Sequence, residues 1–236
     1  MKLIKFAAAA LFALSSLSAS AALIEILDNS SGYYDPDVAA PANNNYIPGS
    51  VTTPSNQYTI AGTLKATANL QVTYYFLGKE SSWKNLFSVP GNAAAPLGGT
   101  DHTDLNKGTI TTYVAKDELF DFLFTSVVPA TSVNPSFNLS VTNAEGGTLG
   151  TNGRIYSFAV ALDAIFNGTG PHANAAHAGA YDAILFLDDT GPNALDDDNH
   201  DDLLIGIRVT AVPEPTTLLL MSMGLLGLFG ARRLKA

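Results

Sequence analysis

The chain has 236 residues, with 12 basic and 21 acidic side chains, no cysteine and a formal net charge of −9. Without cysteine there are no disulfides, no thiolate nucleophile and no Cys-ligated metal, and the acidic balance repels nucleic acid and anionic lipid. Setting aside Lys2, Lys5, Glu214, Arg232, Arg233 and Lys235 at the two ends leaves seven basic and twenty acidic residues between them, a charge of −13 that attracts divalent cations.

Lys2 and Lys5 open the chain, Phe6 to Leu17 is apolar, and Ala19-Ser20-Ala21 supplies small residues. This pattern predicts a secretory signal peptide over residues 1–21, with Ala19 and Ala21 at the recognised positions and cleavage after Ala21. The apolar stretch is too short for an anchor, and no stop-transfer pattern follows it. Residues 22–211 then form one exported domain, long enough for a sizeable core and too short for two comfortable ones. Stability must come from core burial, to which bound cations could add, since covalent staples are absent.

Within that domain, period-two alternation predicts strands near Leu23–Leu27, Gln57–Leu64, Ala66–Leu77, Thr109–Val114, Leu119–Val127, Ser136–Thr142, Arg154–Leu162, Tyr181–Leu187 and Leu203–Thr210. Tyr156, Phe158, Val160 and Leu162 make a large apolar face, against a small one of Ser157, Ala159 and Ala161, as in a strand packed on one side. Phe120, Phe122 and Phe124 repeat the device with Asp121 opposite, and a helix started by Lys116-Asp117-Glu118 is the competing reading. Asn29–Ser55, Pro90–Gly108, Glu145–Gly153 and Asn167–Gly179 are rich in Gly, Asn, Pro and Ser and read as loops. Many short strands without regular helical spacing predict an all-β fold, an antiparallel β-sandwich or jelly roll, between an N-terminal signal helix and a single C-terminal transmembrane helix. Trp83 reads as core, and the adjacent Tyr74 and Tyr75 must point to opposite faces of their strand, so they cannot make one sugar-stacking platform.

The segment Leu187 to Arg208 holds seven carboxylates within fifteen residues: Asp188, Asp189, Asp196, Asp197, Asp198, Asp201 and Asp202. Such neighbours repel by several tenths of a kcal/mol per pair even at ε of about 80. Ca²⁺, with its six to eight oxygen ligands, would offset this and close the loop between the strands, whereas water and salt alone would screen a solvated hairpin; composition leaves both open. An EF-hand does not fit, because a loop begun at Asp196 puts Asp201 at the turn glycine and Ile207 at the bidentate glutamate. His172 and His177 lack zinc-motif spacing and read as loop residues, and His200, a poor calcium ligand, reads as exposed. There is no Gly-x-Ser-x-Gly elbow or phosphate loop, and Glu25, Glu80, Glu118 and Glu145 are too scattered to nominate a glycosidase pair.

Beyond the domain, residues 212–236 have three parts. Val212-Pro213-Glu214-Pro215 is an extended stalk, since the prolines fix φ and disfavour helix before them. Thr216 to Ala231 is sixteen residues without a charge, about 24 Å as a helix and short for a hydrocarbon core of about 30 Å unless flanking arginines snorkel. Arg232, Arg233 and Lys235 form a basic stop that stays cytoplasmic. The three parts in this order resemble the PEP-CTERM sorting signal of Gram-negative bacteria, a tail also labelled as an ice-binding protein C-terminal domain. The resemblance implies recognition by exosortase, a membrane cysteine transpeptidase, with Pro213, Glu214, Pro215, Arg232 and Arg233 as its signal. It also implies export across the inner membrane, transient anchoring by the tail, cleavage near Pro213-Glu214-Pro215 and delivery to the cell surface or extracellular matrix, in company with exopolysaccharide and biofilm functions.

The acidic segment has a resemblance of its own. Leu185-Phe186-Leu187-Asp188-Asp189, then Asp197-Asp198-Asn199-His200-Asp201-Asp202-Leu203, is similar to the last hairpin of a β-sandwich domain of unknown function found in PEP-CTERM proteins and bacterial adhesins. Tyr74-Tyr75-Phe76-Leu77-Gly78 and Leu119 to Phe124 look like earlier parts of that domain. Asn199 replaces an aspartate of the pattern and His200 an aromatic. What this implies is a Ca²⁺ site from Asp188, Asp189, Asp197, Asn199, Asp201 and Asp202. The expectation is a non-enzymatic surface or matrix protein with a calcium-stabilised hairpin. The alternative is an exopolysaccharide-binding module, and a secreted hydrolase is the more distant one.

Overall fold

The computed structural model describes residues 22–27, 33–34, 51–53, 58–60, 62–81, 83–100, 105–127, 138–145, 158–170, 172–187, 202–213 and 220–224. These hold fifteen strands: β1 (Ile24–Leu27), β2 (Tyr33–Tyr34), β3 (Val51–Thr52), β4 (Tyr58–Ile60), β5 (Thr63–Ala66), β6 (Leu70–Gly78), β7 (Lys84–Ser88), β8 (Leu97–Gly99), β9 (Leu105–Asn106), β10 (Thr109–Val114), β11 (Leu123–Val127), β12 (Asn138–Thr142), β13 (Phe158–Phe166), β14 (Gly179–Leu187) and β15 (Leu203–Ala211). The large sheet runs β10-β6-β15-β14-β13-β4-β2, with β3 also on β13; a five-stranded sheet runs β12-β11-β7-β8-β9; β1 and β5 form a ribbon. Every strand pairing is antiparallel, as in the expected all-β sandwich.

The main core lies between the sheets because alternate residues of each strand point there. Tyr74, Phe76, Val160, Leu185 and Ile205 of the large sheet meet Phe87, Leu97 and Phe124 of the small one, and Ile24 and Leu64 of the ribbon join them. Phe122 links the layers, 5.4 Å from Phe87 and 5.3 Å from Phe158 between ring centroids. Phe120, Phe122 and Phe124 are all buried while Asp121 is exposed, as their alternation predicts. The competing helix does not form: Lys116 and Asp117 make a turn, and Phe120 N donates to Leu64 O at 3.0 Å.

β13 corrects the expectation of a strand packed on one side. Phe158 and Val160 enter the main core, but Ala159 and Ala161 are equally buried in a second cluster with Leu77, Phe166, Ile184 and Leu204. Their small side chains leave room on the outer face for the segment around Asn174, whose N–H donates to Leu77 O at 2.6 Å and whose Nδ2 donates to Phe76 O at 3.0 Å. Strands β2 and β3 lie in a stretch read as loop, as do β8 and β9. Strand β7 escapes the alternation test because Asn85, not an apolar residue, faces inward beside Phe87. Trp83 is half-buried and belongs to neither cluster, so it is not the core residue it was expected to be.

Candidate functional site

The large sheet splits between two of its central strands. β14 and β15 pair from Leu187↔Leu203 only as far as Ala183↔Ile207. Beyond that point β14 follows β13 to Phe166↔Gly179, and β15 follows β6 to Ala211↔Leu70. The divergence opens a cleft of about 490 Å³ lined by Asp163, Ile165, Ala180, Tyr181, Asp182, Arg208, Val209 and Thr210.

Two aspartates stand where the strands change face. Asp163 adopts φ 51°, in the left-handed region that aspartate tolerates better than most residues. Before it, Phe158 and Val160 point to the main core; after it, Ala164 and Phe166 point to the outer cluster. β14 turns over at the same level, since Ala183, Leu185 and Leu187 face inward and Tyr181 outward. Asp163 and Asp182 thus share the register position between Leu162↔Ala183 and Ala164↔Tyr181.

Side chains replace the lost ladder. Val209 N donates to Asp182 Oδ2 at 2.8 Å, and Arg208 Nε donates to Ala180 O at 3.0 Å. The Arg208 guanidinium carbon lies 4.4 Å from the Tyr181 ring centroid and 4.9 Å from that of Tyr75, so the cation covers both rings. Tyr181 OH donates to His177 O at 2.6 Å, while His177 Nδ1 lies 2.8 Å from Phe76 O. Burial pushes the Tyr181 phenol up to about 12; the Arg208 charge works against that rise and Tyr75 adds to it. Tyr75 and Tyr74 do point to opposite faces, Tyr74 in the main core and Tyr75 against the outer cluster.

Of the residues expected to bind calcium, Asp188, Asp189, Asp197, Asn199 and Asp201 lie outside the described residues. Asp202 alone is described, with its carbonyl 3.5 Å from Asn85 Nδ2. The strands on either side are described, and the Leu187↔Leu203 pair joins the two ends of the acidic segment. Lys79 follows Gly78, the partner of Leu204, and is wholly buried with Nζ donating to Ser81 O. Among the described residues no three His, Cys, Asp or Glu side chains are grouped to hold a metal.

Of the sorting residues Pro213 is described and exposed, whereas Glu214, Pro215, Arg232 and Arg233, like Ala19 and Ala21 of the leader, lie outside the described residues. Residues 220–224 are helical, and Leu220, Met221 and Met223 are exposed. Among the described residues no helix is long and apolar enough to cross a membrane.

The reading of the sequence missed the split and its two aspartates. A signal was present: each of two otherwise apolar strands carries one internal aspartate, in Leu162-Asp163-Ala164 and Tyr181-Asp182-Ala183.

No curated protein and no solved structure matches the chain. Residues 211–233 match the family model described as the PEP-CTERM protein-sorting motif. The chain therefore carries a PEP-CTERM sorting motif directly behind its β domain, which marks it for export and for processing by exosortase.

Proposed function

We propose that this is a non-enzymatic surface or matrix protein, delivered as a finished β-sandwich and released or transferred when exosortase acts near Pro213-Glu214-Pro215. The observation that carries the reading is the junction: the motif begins at Ala211, the last residue of β15, and Val212 N still donates to Asn69 O at 2.7 Å. The signal is welded to a central strand, so sorting acts on the whole folded unit. The chemistry of the cleft supports a non-catalytic role, because Asp182 and Arg208 are engaged in holding the sheet across its split. In the same reading Ca²⁺ closes the acidic hairpin through Asp188, Asp189, Asp197, Asn199, Asp201 and Asp202. It is supported by seven carboxylates on a segment whose ends are held together at Leu187↔Leu203.

Mass spectrometry of the mature protein from its host tests the sorting reading: loss of residues 1–21 and of the tail beyond Pro215 is expected, and an intact tail overturns release. Melting with calcium and with EDTA tests the metal, since a ligand specific to the native state raises stability by mass action; an unchanged melting temperature removes it.

A second reading, exopolysaccharide binding, is favoured by the outer face of β10, β6 and β15. Thr111, Thr73 and Arg208 share one row, and Tyr113, Gln71 and Thr210 the next. Tyr113 is 56% exposed there and Ile165 47% exposed at the cleft, an arrangement of hydroxyls, amide and aromatic suited to a sugar chain. Affinity electrophoresis against the host polysaccharide, with Tyr113→Ala as control, checks it; equal mobility with and without polysaccharide rejects it.

A further inference from the structure

Asp163 and Asp182 also line a second, smaller cavity of about 150 Å³, together with Leu162 and, from the start of the exported domain, Ala22, Leu23 and Ile24. Ala22 is fixed in this wall. Its carbonyl accepts from Thr67 Oγ1 at 2.8 Å, the Leu23 carbonyl accepts from Thr67 N at 3.1 Å, and Ile24 opens the pairing of β1 with β5 opposite Ala66. The Asp163 carboxylate makes no hydrogen bond or ion pair among the described residues, and that of Asp182 accepts only the Val209 N–H. Two aspartates, one exposed and one half-buried, therefore line the same small cavity as the first residue beyond the leader.

We propose that Asp163 and Asp182 form the binding site for the chain's own α-ammonium, created at Ala22 when the leader is removed. The inference rests on the reading of the chain as exported with cleavage after Ala21. In the precursor the Ala22 nitrogen is a neutral amide. Hydrolysis of the Ala21–Ala22 bond by the host's signal peptidase consumes one water, leaves a carboxylate on Ala21 and frees an amine on Ala22, which is protonated at neutral pH. The new cation arises on a residue that lines the same cavity as the aspartate pair, and opposite charges that close are little screened by physiological salt. The aspartates sit on β13 and β14 and the Ala22 carbonyl is tied to Thr67, so less side-chain ordering is needed than for a surface lysine pair. Leader removal thereby adds a cation beside the aspartates, which share their other cleft with Arg208, and the domain gains stability at the step that releases it outside the cell.

The test uses the chain from Ala22 to Ala236 in mild detergent, made with a free N-terminus and with an enzymatically acetylated one. Each form is made with the native aspartates and with Asp163→Asn and Asp182→Asn together. Asparagine keeps the acceptor for Val209 N–H and tolerates the left-handed backbone, so only charge is removed. Acetylation is expected to lower the melting temperature of the native pair by about 2–4 °C, the shift that a modest ion pair gives a domain of this length. It is expected to have no effect on the double asparagine variant. An equal shift in both backgrounds, or none in the native one, overturns the proposal. N-terminal sequencing of the exported protein checks the premise separately: a start other than Ala22 removes the site's role in export, whatever the melting data show.

Discussion

At the scale of single residues, two tyrosines show how burial sets the fate of a hydroxyl. Tyr74 is wholly buried, and its OH has no hydrogen-bond partner among the described residues. Burial, and next the Asp121 charge, push its phenol far up. An unsatisfied buried hydroxyl costs about 1–3 kcal/mol, so Tyr74→Phe, which keeps the ring against Phe87 at 4.9 Å, is expected to stabilise the domain by about 1 kcal/mol. Urea unfolding measures this, and a loss of stability would show that the hydroxyl is satisfied after all. Tyr181 is the opposite case, since its OH donates to His177 O. Its folded value near 12 lies above the unfolded value of about 10, so the folded state holds the proton more tightly. That contribution is fully present below pH 10 and is lost as pH climbs from 10 to 12. In Tyr181→Phe the fall in stability across this window is expected to be shallower than in the parent, while at pH 7 the variant is weaker by about 1 kcal/mol for the lost hydrogen bond. Melting curves from pH 7 to 12 decide it.

At the scale of elements, the split between β14 and β15 depends on one side chain doing the work of a main-chain carbonyl. Asp182→Ala leaves Val209 N–H without its acceptor and is expected to cost about 2 kcal/mol, with faster hydrogen exchange at Val209. Asp182→Asn retains an acceptor oxygen and should preserve the protection, and equal exchange in both variants would detach the carboxylate from the ladder. Legibility followed the same line between regular and irregular pairing. Thr109–Val114 is predicted to the residue because its alternation between a buried and a wet face is written in the side chains, and the β14 and β15 runs to within two residues because each is a nearly continuous apolar run, buried on both faces. The β13 run was ended at Leu162, four residues short, since a rule of strict period two stops at Asp163, where the real strand turns over and continues to Phe166; residues 154–157 of the expected strand lie outside the described residues. Its second buried face was hidden for another reason: alanines at 159 and 161 read as a small exposed face, and only the Asn174 segment folding back over that side shows otherwise. The carboxylates of 188–201 were legible as a charged hairpin between strands and the strand pairing agrees, but their geometry falls outside the described residues.

At the scale of the whole molecule, the question is how close exosortase can come to a folded body. β15 lies between β6 and β14 in the large sheet, and its pairing with β6 continues to Ala211↔Leu70. Val212 adds the last hydrogen bond, and Pro213, which has no N–H to donate, ends the strand. The sheet therefore engages the chain through Val212. A chain ended at Val212 is expected to melt with the parent, whereas one ended at Arg208 loses Val209 to Val212, and with them the Asp182 and Asn69 contacts, and should unfold tens of degrees lower or fail to fold. The same tight junction puts Pro213, where the Pro-Glu-Pro signal begins, at the end of the sheet, so a membrane enzyme must reach past the domain to engage the signal. Inserting a flexible Gly-Ser linker of about ten residues between Val212 and Pro213 moves the signal roughly 16–19 Å from the sheet, at about 5–6 Å × √n. If the domain impedes access, pulse-chase in the host will show faster conversion of the precursor with the linker than without it. Equal rates would mean that the apolar tail alone sets the depth at which the enzyme acts, and that the folded domain is a passive load on its signal.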